Sequence, residues 1–212
     1  MEKKSIINSY IFMGCKHCGK TTQGKKYATY IGADFYDLDE EIEKKCGMSV
    51  REYFNKYGKD GFVENEVEAI EDLSYCFDKE DMTKGIVIST GGGICDNDEA
   101  MAVIQGIKLA LCGNEKEKIT LVYLRLDIQY SVDRILENIT EVEKGVFTGV
   151  PAYIKDEKGN IPSSIEEIKE LLIKKFTDRS KKYEHYADVI VDIKNAPIDD
   201  NFNTILGALN KD

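Results

Sequence analysis

The chain has 212 residues, 42% hydrophobic and 32% charged, with a formal net charge of −10. That length suits one α/β domain with a sizeable core and is short for two. The acidity argues against a broad nucleic-acid footprint, which needs a basic face, and no apolar run approaches the roughly 20 residues needed to span a bilayer.

Met1-Glu2-Lys3-Lys4 is followed by no long apolar core of the signal-peptide kind, so a cytoplasmic location is expected. Ile6, Ile7, Tyr10, Ile11, Phe12 and Met13 form an apolar run suited to a buried parallel strand over 6–13. Gly14-Cys15-Lys16-His17-Cys18-Gly19-Lys20-Thr21-Thr22 follows it, matching G-x-x-x-x-G-K-[ST]. A Pro-free segment then predicts a helix over 20–31. A strand feeding a glycine loop that opens a helix aims backbone N–H groups and the positive end of the helix dipole at one spot. That spot suits a polyphosphate, with Lys20 on the β/γ-phosphates and the Thr21 hydroxyl on Mg²⁺.

Cys15-x-x-Cys18 has the spacing of half a zinc site or a redox pair. No second Cys/His pair with ligand spacing appears, so loop filling is the preferred reading, with redox control of nucleotide binding as a lesser one. Cys46, Cys76, Cys95 and Cys112 are scattered, which argues for reduced thiols rather than a disulfide framework.

A short strand is expected at 34–37, then a helical stretch from Leu38 to about Asp78 that Gly47, Gly58 and Gly61 divide into two or three helices. Within Asp37-Leu38-Asp39-Glu40-Glu41, extended backbone would project Asp37 and Asp39 to the same side. One would face a metal and the other a substrate hydroxyl; an acidic helix start is the plain alternative. A strand at Ile86–Ser89 ends in Thr90-Gly91-Gly92-Gly93, where absent Cβ atoms let a small ligand lie against backbone amides. A helix near 97–112, a strand at Ile119–Leu124 and a helix at 128–138 follow.

The region 139–162 holds Gly145, Gly149, Pro151, Gly159 and Pro162 and is expected to be an irregular lid that excludes water from a phosphotransfer site. A helix over 163–184, a strand at Asp188–Val191 and a short C-terminal helix close the chain. Strands alternating with helices predict a three-layer α/β/α sandwich, a P-loop fold with a central parallel sheet of about five strands. Its ligand site should lie at the carboxyl edge of the strands.

Six motifs occur in the order of one family: the glycine loop through Thr22, Asp37-x-Asp39-x-x-Ile42-Glu43, Gly47-x-Ser49-Val50-x-x-Tyr53-Phe54-x-x-x-Gly58, Phe62-x-x-x-Glu66, Gly91-Gly92-Gly93 and Arg179-x-x-x-Tyr183-x-x-x-Ala187-Asp188. Over most of its length the chain resembles the shikimate kinases, small P-loop enzymes that phosphorylate a hydroxyl of shikimate from ATP in aromatic amino acid biosynthesis. The resemblance implies that the Gly14–Thr22 loop and Lys20 hold the ATP phosphates, while Thr21 and Asp37 serve Mg²⁺. Asp39 would bind the acceptor hydroxyl and act as, or orient, the base. Glu66, Gly91, Gly92, Gly93 and Arg179 would border the acceptor, and Arg134 and Asn195 the adenine.

Two departures stand out. Val63 occupies the place of an arginine that helps clamp the acceptor carboxylate, and Val150 that of a lid arginine on the phosphates. Lys144, Lys155 and Lys158 are the lid cations that remain. These losses keep two alternatives open: a kinase for another hydroxylated acceptor such as a sugar acid or polyol, and a regulatory nucleotide-binding module with little turnover.

Overall fold

A computed structural model describes residues 7–77, 84–112, 117–156 and 159–210. Ile6, Asp78 and Lys158 lie outside the described residues. The elements in chain order are β1 (Ile7–Met13), α1 (Lys20–Ile31), β2 (Asp34–Asp37), α2 (Leu38–Cys46), α3 (Val50–Ser74), β3 (Ile86–Ser89), α4 (Asp98–Cys112), β4 (Glu117–Leu126), α5 (Ile128–Leu136), β5 (Thr140–Glu143), β6 (Val146–Thr148), α6 (Ile165–Tyr186), β7 (Val189–Ile193) and α7 (Ile198–Leu209). Single 3₁₀ turns at Ile94–Asp96 and Ala152–Ile154 complete the set.

Five strands form one parallel sheet in the order β2-β3-β1-β4-β7, the predicted three-layer arrangement. Alternation along β1 shows why it sits centrally. Ile11 and Met13 face a large core built with α2, α3, α4 and α6, whereas Phe12 faces a smaller one with Tyr27 and Ala28 of α1 and Phe202 and Ile205 of α7. Every connection into the candidate site leaves a strand at its carboxyl end: the glycine loop from β1, Asp37 from β2 and the three glycines from β3.

Local chemistry sets the helix ends. Asp37 caps α2, its Oδ1 accepting from the amides of Asp39 (3.1 Å) and Glu40 (3.4 Å). Gly47 (φ 68°) ends α2, and a Ser49–Glu52 capping box opens α3. Within α3 the helical dihedrals break at Gly58 (φ 74°), so Leu38–Ser74 holds three helical pieces; Gly61 interrupts nothing.

Two expectations are corrected. Asp37 and Asp39 do not share one side of an extended segment: α2 begins at Leu38, so Asp37 is its cap and Asp39 stands in its first turn. The region 139–162 is not wholly irregular either. β5 and β6 form an antiparallel hairpin turned at Lys144-Gly145, with Gly145 at φ 76°. Phe147, Val150 and Ile154 anchor this segment to the larger core. No described helix is long and apolar enough to cross a membrane.

Candidate active site

The loop between β1 and α1 packs against the neighbouring strand. A Cβ on Gly14 would lie 2.6 Å from Leu124 O and 2.8 Å from Cys18 Sγ, so only glycine lets the loop leave β1 at this point. Lys20, 8% exposed, donates from Nζ to Cys15 O (3.1 Å) and to Cys18 Sγ (3.9 Å), which holds the ammonium inside the loop. His17 is the sole described non-glycine residue with positive φ, at 70°. Burial, together with Lys16, Arg134 and Lys20, pushes its imidazole below the ordinary value, so it is neutral near pH 7.

Cys15 and Cys18 are both buried and unpaired thiols. Burial first, then Cys18, pushes the Cys15 thiol up to about 12, which keeps it protonated and unreactive.

Thr21 Oγ1 donates to Asp37 Oδ2 at 2.6 Å. The two oxygens of Asp37 are thus divided, Oδ1 to the α2 cap and Oδ2 to the loop hydroxyl. A hydroxyl beside a 6%-exposed carboxylate is a hard oxygen pair of the kind Mg²⁺ accepts, so these residues fit the ion.

Across the loop lies the turn after β3, and each of its three glycines faces different neighbours. A Cβ on Gly91 would sit 2.9 Å from Asp39 Oδ1 and 3.3 Å from Glu66 Oε1. One on Gly92 would sit 2.9 Å from the Lys16 amide nitrogen, and one on Gly93 2.8 Å from a terminal Arg179 nitrogen. The turn therefore gathers the side chains of Asp39 from α2, Glu66 from α3 and Arg179 from α6, and the backbone of Lys16 from the phosphate loop, around a backbone that offers no side chain.

The electrostatics of this ring are unusual. Burial and then Asp37 raise the Asp39 carboxyl, against the pull of Lys20 and Lys16. Glu66 is 3% exposed; burial pushes it up to about 7 in spite of a 3.1 Å hydrogen bond from Asn97 Nδ2. Val63 contributes no charge, but its carbonyl accepts from the same Asn97 nitrogen (3.0 Å). Val150 is 4% exposed and packed in the core, so that position does not face phosphates. Lys144 and Lys155 are exposed.

Arg179 is 5% exposed and held on several sides. Its Nε donates to Asp96 Oδ2 (2.8 Å), one terminal nitrogen donates to Gly92 O (3.1 Å), and its guanidinium carbon lies 4.6 Å from the centre of the Tyr153 ring. Lys175 and Lys182 also bind Asp96, at 2.9 and 3.1 Å. Burial works to raise Asp96, yet the Lys175 bond and Arg179 outweigh it and hold the carboxyl at about 2.

At the far end of the loop, Arg134 lies 5.7 Å from the Tyr130 ring centre, and the Tyr130 hydroxyl donates to Asn195 Oδ1 at 2.6 Å. Arg134 and Asn195 thus come together, bridged by a tyrosine. Sequence reasoning missed Tyr130, Asp96, Asn97 and Tyr153. Tyr130 had a signal, its i,i+4 spacing to Arg134 on one helix face. Asp96 and Asn97 directly follow the glycine turn, but only the tertiary fold pairs them with α6 and α3.

The shikimate kinase family profile matches residues 16–210. The shikimate kinase of Dictyoglomus turgidum is 29% identical over 205 residues, covering 97% of this chain and 99% of that one. The one from Bacillus cytotoxicus is 30% identical over 197 residues, covering 93% and 95%. Among solved structures, the shikimate kinase from Acinetobacter baumannii in complex with shikimate superposes with a TM-score of 0.67 at 22% identity, covering 96% of this chain and 92% of that one. With a glycine turn that gathers the Asp39, Glu66 and Arg179 side chains beside the loop, and a family match over residues 16–210, the chain belongs to the shikimate kinase family.

Proposed function

We propose that this protein, acting as one domain, transfers the γ-phosphoryl group of ATP to a hydroxyl of shikimate. The observation that carries the reading is the convergence of the Asp39, Glu66 and Arg179 side chains and the Lys16 backbone on Gly91–Gly93, directly beside the loop that holds Lys20. Gly14 through Thr22 cradle the phosphates with backbone amides, and Lys20 places its charge on the transferring group. Tyr130, Arg134 and Asn195 border the base.

Asp39 receives the acceptor's hydroxyl proton as the acceptor oxygen bonds to the γ-phosphorus, the bond to the bridging oxygen breaks and ADP leaves. Its raised pKa suits that task, because a base works best when its affinity for the proton is not too low. Arg179 pairs with the acceptor carboxylate through the terminal nitrogen that Asp96 and Gly92 leave free. Thr21 and Asp37 hold Mg²⁺, which supplies charge neutralisation on the phosphates when bound. The lid, residues 139–162, excludes water from the closed site.

The test is ADP release with Mg-ATP against shikimate, quinate, gluconate and simple polyols. Turnover preferring shikimate is expected. Preference for gluconate or a polyol would move the protein to another acceptor, and tight ATP binding without ADP release would make it a regulatory module.

A further inference from the structure

Tyr153 stands in the lid, on the face of the Arg179 guanidinium. Its hydroxyl is buried and has no hydrogen-bond partner among the described residues. A buried O–H without a partner destabilises a protein, and phenylalanine would fill the same volume without that cost. Burial pushes this phenol up to about 12, with the Arg179 guanidinium pulling the other way. The ring that carries it packs against Arg179, the residue to which the acceptor carboxylate is assigned above.

The charge in this corner is unbalanced. Asp96 is one carboxylate shared by three cations, Arg179, Lys175 and Lys182. The cluster keeps an excess of positive charge next to a free guanidinium nitrogen and an unused phenol donor. An anion with two oxygens would meet both.

We propose that Tyr153 is an acceptor-specificity residue, its O–H donating to the carboxylate that Arg179 pairs with. The proposal rests on the acceptor kinase reading above and adds a residue to it. The ring lies against the guanidinium, and the hydroxyl supplies a second, neutral donor where Val63 supplies none.

Tyr153→Phe keeps the ring and removes only the oxygen. Three measurements test it: thermal unfolding without ligand, shikimate binding by calorimetry, and steady-state kinetics with shikimate and its methyl ester. Unliganded Tyr153→Phe should be at least as stable as the wild type. Its Kd and KM for shikimate should rise about tenfold with KM for ATP unchanged, and its preference for shikimate over the ester should fall by a similar factor. Tyr153→Leu, which also loses the stack, should lose more. Wild-type binding of shikimate with no change in Tyr153→Phe overturns the role of Tyr153 alone. A less stable Tyr153→Phe with unchanged KM values does the same and leaves a packing residue. If the wild type fails to bind shikimate, the acceptor reading falls and this proposal falls with it.

Discussion

Glu66→Gln should convert a pH-dependent loss of stability into a flat profile. Glu66 is 3% exposed, and its carboxyl sits at about 7 against an ordinary 4.5, because burial outweighs the Asn97 hydrogen bond and Asp39 adds repulsion. An acid raised in the folded state keeps its full stability below its unfolded value, and that stability is lost as pH rises through the folded value. The gap of about 2.5, at about 1.4 kcal/mol for each, gives a loss of about 3.5 kcal/mol, incurred mainly between pH 4.5 and 7. Glutamine keeps an oxygen for Asn97 and cannot ionise. Urea unfolding at pH 5, 7 and 8.5 should therefore show the variant close to the wild type at pH 5 and more stable by about 2–3 kcal/mol at pH 8.5. Other groups titrate in both proteins and largely cancel in the difference. A difference that stays within about 0.5 kcal/mol from pH 5 to 8.5 would refute a neutral, buried Glu66, since linear extrapolation resolves a larger change than that.

Asp39→Asn should lower phosphoryl transfer by about 10²–10⁴-fold while ATP affinity stays within about twofold; parallel losses in both, measured by calorimetry and turnover, would remove Asp39 from the acceptor side. Lys16→Met should raise KM for shikimate about tenfold and spare KM for ATP, because the Lys16 backbone abuts Gly92 and its charge acts on the Asp39 carboxyl; a selective rise in KM for ATP would return that lysine to the phosphates. Val63→Arg should tighten shikimate binding about tenfold by adding a charge-assisted donor, and an unchanged Kd would show a rebuilt pocket. His17→Gly should raise unfolding free energy by about 0.5–1 kcal/mol, the left-handed penalty of about 1–2 kcal/mol less the entropy of glycine; a loss on denaturant titration would mean the imidazole makes contacts worth more than the strain.

What the sequence made legible was set by local chemistry. The apolar run before Gly14, the β1–loop–α1 order and the alternation of strands with helices each follow from neighbours in the chain, and the fold has all of them. Gly47 and Gly58 marked real breaks for the same reason. The β5–β6 hairpin was obscured because its faces alternate over only a few residues and just one side chain, Phe147, is buried. The extended placement of Asp39 failed because Asp37 could satisfy two amides of α2, a capping preference that outweighed extension. Tyr153, Asp96 and Asn97 were out of reach: their partners lie 26, 83 and 31 residues away, across elements whose packing no local pattern encodes.

At the acceptor end the buried Glu66 carboxyl has a neutral hydrogen-bond partner, Asn97. Val63 carries no charge to set against that carboxyl, and its backbone carbonyl accepts from the same Asn97 nitrogen. Asn97 then bridges the Val63 carbonyl and Glu66 while its Oδ1 caps α4 through Ala100 N (3.0 Å), so a single neutral side chain occupies the ground between α3 and α4. A buried ion pair must overcome the desolvation of both charges, and exchange for a neutral pair need not weaken a protein. The chemical result is local. Below about pH 7 Glu66 is a hydrogen-bond donor as well as an acceptor, and the buried cations of the site are Arg179 and Lys20. On the acceptor reading proposed above, selection among acceptors would turn on a carboxylate placed against Arg179, whose guanidinium Asp96 and Gly92 hold in place.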